Sequence, residues 1–214
     1  LAELCDAELI GYHLLSRSEL TTQVVKKRFA KEKVGNVVSV DGKVQIIEYS
    51  DLPDTAAEQC DAAGELKLWA GNIAVHVFDR TFLERVVASA DGLPFHRASK
   101  VVPYIDEAGE LVESKTANAT KFERFVFDLL PLAERAFVVE GNASQVFAPV
   151  KNANGAAVDT PDTAQTALLD LHRSWLTAAG ASVPNSLRVE IHPHWALDAA
   201  DVQKQLADTK IHFE

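Results

Sequence analysis

Two lysines bracket the stretch on which most of the chemistry in this chain converges, KFERFVFDLLPLAERAFVVEGNASQVFAPVK, from Lys121 to Lys151. Lys151 stands just behind Pro149 and a run, Val146-Phe147-Ala148, that predicts a short extended piece. Such backbone is stiff, and a cation held on it can be presented to a fixed anion. A solvated lysine is the plain alternative, because lysine heads are mostly exposed. A second signal lies at Ala70-Gly71-Asn72-Ile73, where a glycine and an asparagine interrupt an otherwise apolar path. Interruptions of this kind accompany close approach of a ligand to the backbone, or equally a β-bulge or turn. Lys26, Lys27, Arg28, Lys31 and Lys33 form the only dense positive run, which reads as a solvated strand end and loop. His192-Pro193-His194 lacks a third metal ligand at the usual spacing and reads as structural or surface.

The elements that must position these residues follow from periodicity and turn chemistry. Phe122, Phe125, Val126, Leu129, Leu130, Leu132 and Ala133 fall near helical spacing and predict an amphipathic helix between Phe122 and Ala136. Phe137-Val138-Val139 then predicts a strand, and Gly141-Asn142 a turn. Upstream, Glu8 to Leu15 predicts a short buried strand, and Thr21 to Phe29 opens with β-branched residues. Val34 to Val40 and Lys43 to Tyr49 are joined by Asp41-Gly42, a strong hairpin signal because both turn positions favour positive φ. Val44 and Ile46 face one way, Lys43, Gln45 and Ile47 the other, and Glu48 sits at the far end of the second strand.

Asp54 to Gly64 predicts a helix, Leu66 to Trp69 a short strand, and Asp79 to Ala90 a helix stopped by Gly92. Leu93 to Asp106 is extended, with Val101 to Ile105 as its core, and residues 107–110 turn it into a second hairpin. Thr160-Pro161 caps and opens the longest helix, which ends at Gly180. Leu187 to Ile191 predicts a strand and Asp198 to Ala207 a terminal helix.

With 214 residues, of which 47% are apolar, the chain is long enough for one large domain, or one domain with an appendage. No apolar run approaches the ~18 residues of a membrane span. Net charge of −10 argues against a nucleic-acid or anionic-membrane surface. Cys5 and Cys60 carry no metal spacing and read as free thiols of a cytoplasmic protein. The chain opens on Leu1 without a signal pattern, which reads as part of a longer polypeptide. Alternating strands and helices with several hairpins predict an α/β class with a mixed sheet, whose ligands sit at the carboxyl ends of the strands.

The blocks GNVVSVDGKVQIIEYSDLP, LKLWAGNIAVHVF, KVVPYID, NATKFERFVFDLL and FAPVKNANG…DTPDTAQTALL, in this order, resemble the carboxyl-side half of the UDP-sugar pyrophosphorylase family, above all its UDP-N-acetylglucosamine branch. The resemblance spans roughly Gly11 to Gly180. It implies a mixed-sheet, Rossmann-like nucleotidyltransferase core without the family's glycine-rich nucleotide loop. Residues 1–180 would be the carboxyl-side part of the catalytic domain, and 181–214 the start of a small C-terminal region.

The resemblance also implies roles. Gly35 would bring its backbone to the sugar, Glu48 would accept from sugar hydroxyls, and Asn72 would donate and accept there. Phe125 and Phe127 would form the apolar wall near the 2-substituent. Lys151, from the PxKN motif, would hold phosphates, with Lys121 in support. The implied reaction joins UTP and a sugar-1-phosphate, N-acetylglucosamine-1-phosphate or alternatively glucose-1-phosphate, into a UDP-sugar and pyrophosphate with Mg²⁺ as cofactor. His76 and His96 are then core or loop histidines, since an ionised phosphate needs no general base. The rival from another class is a non-catalytic sugar-phosphate-binding module. Oligomeric state is left open.

Overall fold

Asp6 caps the first helix by accepting the Glu8 N–H at 2.8 Å, and the apolar run behind it forms α1 (Ala7–Leu15) where the sequence predicts a strand. An apolar run this short has no decisive period, so a local cap selects the helix. These positions come from a computed structural model that describes residues 6–89 and 92–208; Leu1, Cys5 and Ala90 lie outside them. Strand β1 (Leu20–Lys26) follows, then the hairpin of β2 (Gly35–Val40) and β3 (Lys43–Ile47). Its turn residues Asp41 and Gly42 have φ of 50° and 78°, the left-handed backbone that this tight turn requires.

Helix α2 (Asp54–Ala57) stops well short of Gly64. Beyond it Asp61 accepts the N–H groups of Ala63 and Glu65 with its side chain, and such local bonding competes with helix. Leu66 contributes only a bridge to Cys60, and the strand proper is β4 (Ala70–Phe78). Helix α3 (Arg80–Ala88) lies within the predicted Asp79–Ala90 helix, with Asp79 as its cap. Strand β5 (His96–Lys100) comes next, then β6 (Tyr104–Ile105) and β7 (Leu111–Val112) form the second predicted hairpin, with Tyr104, Ile105 and Leu111 exposed.

The region 122–136 departs most from expectation. Strand β8 (Ala119–Glu123) pairs with β5, Phe125 is extended, and Val126–Leu132 form a 3₁₀ helix with Pro131 inside it. Proline removes a donor and clashes with the preceding turn, so no regular α-helix passes through this segment. The apolar stripe still reaches the core, because Phe127, Leu129, Leu130 and Ala133 are buried together. Strand β9 (Ala136–Glu140) follows as predicted. Helix α4 (Ala143–Val146), capped by Asn142, takes up Val146 of the extended piece expected at 146–148, and Phe147 behind it is extended. Helix α5 (Pro161–Ala178) opens on the Thr160 cap, reciprocated by Thr163. Residues 187–191 are irregular instead of a strand, and α6 (Ala199–Asp208) is the last element.

The class is mixed α/β. Five strands form one sheet in the order β3-β2-β4-β1-β9, with β1 and β9 parallel and the remaining pairs antiparallel. Strand β1, flanked by β4 and β9, is sealed on both faces. His13 of α1 lies against Thr21 (2.9 Å), and Leu20 packs with Phe82, Phe127, Leu129 and Leu130. A second cluster joins the carboxyl half of α5 to Val189, Ile191 and Val202 of α6. Among the described residues no helix is long and apolar enough to cross a membrane.

Candidate functional site

Gly35 and Asn72 face each other across the β2–β4 pair, and Glu48 follows the end of β3 on the neighbouring strand. A Cβ built on Gly35 would lie 3.0 Å from Glu48 Oε1 and 3.6 Å from Asn72 Cβ. Three residues singled out in two sequence blocks therefore meet at one point of the sheet. The interruption at Gly71-Asn72 is also a bulge: the β1–β4 register shifts between Gln23 and Val24, and Ala74 has φ of 61°. The Asn72 side-chain oxygen accepts the Ala74 N–H at 3.0 Å. That contact fixes the amide plane and leaves the NH₂ as donor, without a partner among the described residues.

The Glu48 carboxyl is half-buried and its pKa is raised, first by burial and then by Asp51, while Lys151 and His96 pull it down. No side-chain hydrogen bond to Glu48 occurs among the described residues. A desolvated carboxylate without donors is a ready acceptor for hydroxyl groups.

Ile46, whose Cγ2 is 2.7 Å from that Cβ position on Gly35, packs against the cluster that holds Phe127. Phe127 is itself a core side chain, buried with Leu20 and Phe82. Phe125 is half-buried and stacks on it, ring centres 4.7 Å apart and planes at 12°. His96 covers Phe125 from another side at 4.7 Å and is held by Asp128, Nε2 to Oδ2 2.7 Å. Of the two expected wall residues, Phe125 is the one with surface to offer and Phe127 is its backing.

Lys151 is exposed, and its ammonium donates to the Lys33 carbonyl. Its backbone N–H donates to the Asp159 carbonyl at 2.8 Å. Lys121 lies on β8 and pairs with Glu123 at 2.5 Å. Glu123 and Lys151 both act on the Glu48 charge, so all these groups border one region.

In the basic run at 26–33, Lys26, Arg28, Lys31 and Lys33 are exposed, as a solvated strand end and loop would have them, and most are also paired. Lys26 pairs with Glu65, Lys31 with Asp54 and Glu58, and Arg28 with Glu32 and Asp159. Lys27 is buried, and its ammonium donates to the Asn36 side chain at 2.6 Å. Composition flagged the run, but partners far along the chain decide its role. His192 and His194 stack edge to face, and among the described residues no group of three His, Cys, Asp or Glu side chains could hold a metal ion.

Comparison with known proteins bears on the family to which the chain belongs. The chain is 40% identical over 182 residues to human UDP-N-acetylhexosamine pyrophosphorylase-like protein 1, matching 85% of this chain and 36% of that protein. It is 35% identical over 196 residues to the UDP-N-acetylglucosamine pyrophosphorylase of Saccharomyces cerevisiae, matching 89% and 41% of the two. The crystal structure of the Trypanosoma brucei UDP-N-acetylglucosamine pyrophosphorylase with an inhibitor superposes with a TM-score of 0.75 at 27% identity, covering 97% of this chain and 43% of that one. The chain thus spans less than half the length of these relatives. The UDPGP family, described as UTP–glucose-1-phosphate uridylyltransferase, matches residues 1–212, and it is to this family that the chain belongs.

Proposed function

We propose that this chain carries the sugar-1-phosphate side of a UTP:sugar-1-phosphate uridylyltransferase that prefers N-acetylglucosamine-1-phosphate. The observation that carries the reading is the convergence of Gly35, Glu48 and Asn72, where a side chain on Gly35 would fill the space beside an unpartnered carboxylate. The names of the 34–40% identical relatives favour the acetylated sugar.

In this reading the Glu48 carboxylate accepts from sugar hydroxyls and the Asn72 NH₂ donates to the sugar, while the exposed part of the Phe125 ring lies along the acetyl methyl. An oxygen of the sugar phosphate attacks the α-phosphorus of UTP in line; the bond to the β-phosphate bridge breaks and pyrophosphate leaves. Such a transfer needs positioning and charge neutralisation more than covalent help. An ammonium has three donors, so Lys151 can keep its bond to the Lys33 carbonyl and still meet a phosphate oxygen. Lys121, tied to Glu123, supports that region. Mg²⁺ is held mostly by substrate phosphates with one or two carboxylates. Among the described residues no group of three His, Cys, Asp or Glu side chains forms a cage for it. A cytoplasmic setting accords with the exposed free thiol of Cys60.

Pyrophosphate release by the natural full-length protein, with UTP and either sugar phosphate, tests the reading. The expected result is turnover with a kcat/KM ratio favouring N-acetylglucosamine-1-phosphate. A ratio favouring glucose-1-phosphate assigns the sister activity, and binding of sugar phosphate without turnover assigns a non-catalytic module.

A further inference from the structure

We infer that Arg28 is a positioning residue, which acts through Asp159 to hold Lys151 in register with the sugar pocket; the inference rests on the phosphate role of Lys151 proposed above. The loop that presents Lys151 is closed at its base by one carbonyl serving two N–H groups, with the Asn152 side chain donating to the Val158 carbonyl beside it at 2.9 Å. Asp159 O accepts the N–H of Lys151 at 2.8 Å and that of Asn152 at 2.9 Å. Asp159 has φ of 58°, backbone that an aspartate tolerates better than most residues but that something must hold in place. Two attachments hold it. On its carboxyl side Thr160 caps the 18-residue helix α5, so Asp159 is fastened to a long rigid element. Its carboxylate is buried and accepts from the Arg28 guanidinium at 2.9 Å.

Arg28 is forked between two acids. Its Nε donates to Glu32 Oε1 at 2.6 Å, and Glu32 is only 3% exposed. The planar guanidinium meets Glu32 through Nε and Asp159 through Nη2 at a fixed spread, which the compact ammonium of a lysine does not reproduce. The same loop also reaches the sugar pocket. Lys27 donates to the Asn36 side chain at 2.6 Å and to the Ala30 carbonyl at 3.0 Å, and Asn36 adjoins Gly35. At the loop's far end the Lys33 carbonyl accepts from the Lys151 ammonium. Residues 27–33 therefore touch the pocket strand through Lys27 and the lysine loop through Arg28 and Lys33, and they set the distance between the two.

The test is a double-mutant cycle on the natural full-length protein with Arg28→Lys, Asp159→Asn, Lys151→Ala and each pair with Lys151→Ala. Both positioning variants are conservative: lysine keeps the charge beside Glu32, and asparagine accepts the left-handed backbone. Expected is a kcat lower by roughly tenfold to a hundredfold in each positioning variant, the scale for a misplaced reacting group. The KM for sugar phosphate and the melting temperature should stay near wild type. In the Lys151→Ala background either change should add less than about twofold, because the two act as one unit. The same factor in both backgrounds would mean a general structural role and overturn the inference, as would wild-type kcat in Arg28→Lys and Asp159→Asn. If Lys151→Ala alone is silent, the phosphate role has failed and the positioning role falls with it; that outcome is recognised by the single variant.

Discussion

Gly35 lies opposite Asn72 across β2 and β4, so close to its neighbours that an added Cβ would stand 2.7 Å from Ile46 Cγ2 and 3.0 Å from Glu48 Oε1. One methyl group thus presses on the core through Ile46 and on the pocket through Glu48. Overpacking of this kind costs about 1–3 kcal/mol. Gly35→Ala should lower the melting temperature by a few degrees and raise KM for sugar phosphate at least roughly tenfold. Steady-state kinetics and a thermal melt check it, and an unchanged KM would remove Gly35 from the pocket.

Lys151→Ala should lower kcat/KM roughly tenfold to a hundredfold, since a charge-assisted bond to phosphate is worth ~1.5–3 kcal/mol. Its melting temperature should hardly move, because the side chain is exposed. Lys151→Arg should rescue only in part, as a planar guanidinium does not occupy the place of a compact ammonium. Near wild-type kcat/KM in the alanine variant would leave Lys151 a solvated lysine.

Glu48→Gln separates binding from stability. The Glu48 pKa is raised in the folded chain, by burial first, so the folded state holds that proton more tightly than the unfolded state does. Stability therefore falls as pH rises through the interval from the ordinary carboxylate value to the raised one. Glutamine removes this dependence, and its melting temperature at pH 7 should equal or exceed that of wild type. Affinity for sugar phosphate should drop about tenfold, measured by calorimetry. A lower melting temperature at pH 7 would identify Glu48 as a structural partner instead.

Acid should unfold the protein through its histidines. Burial pushes the His76 pKa down to about 4, with neither ring nitrogen partnered, and also lowers those of His13 and His172. The His172 Nδ1 accepts the Ile191 N–H at 3.0 Å, a bond that protonation breaks. With folded values below the ordinary 6.5, the unfolded state takes up protons first, so stability is full above that pH and is lost as pH falls toward 4. Each pKa unit corresponds to ~1.4 kcal/mol. Melts between pH 7 and 4 should show the decline, and His76→Leu should flatten it; an equal slope in that variant would assign the decline to other groups.

What the sequence made legible was local. The Asp41-Gly42 turn, the helix that starts at Asp79 and the Thr160-Pro161 start of α5 each depend on residues a few positions apart, and each is present. The misread segments depend on distant partners or on competition between neighbours. The stripe from Phe122 to Ala133 has helical spacing, yet Pro131 and the stacking of Phe125 on Phe127 bend it into a strand and a 3₁₀ helix. In the site, the resemblance named Gly35, Glu48 and Asn72, which the sheet brings together. It did not name Arg28, whose partner Asp159 lies far along the chain, nor the contact of His96 with Asp128. No spacing rule links such pairs before the chain folds.

Strand β1 finds one neighbour in β4 and the other in β9, with Leu20 paired to Phe78 on one side and to Ala136 on the other. The β2–β3 hairpin can close in ~1–10 μs from its own residues. The parallel β1–β9 pair must instead wait for everything between them, and non-local pairing of this kind slows folding. During synthesis β1 leaves the ribosome before β4 and β9, acquires β4, and keeps its other edge of N–H and C=O groups open until β9 emerges. An open edge is a template for another chain. The nascent protein therefore passes through an interval in which crowding and synthesis rate, more than its final stability, decide how much of it reaches the folded sheet.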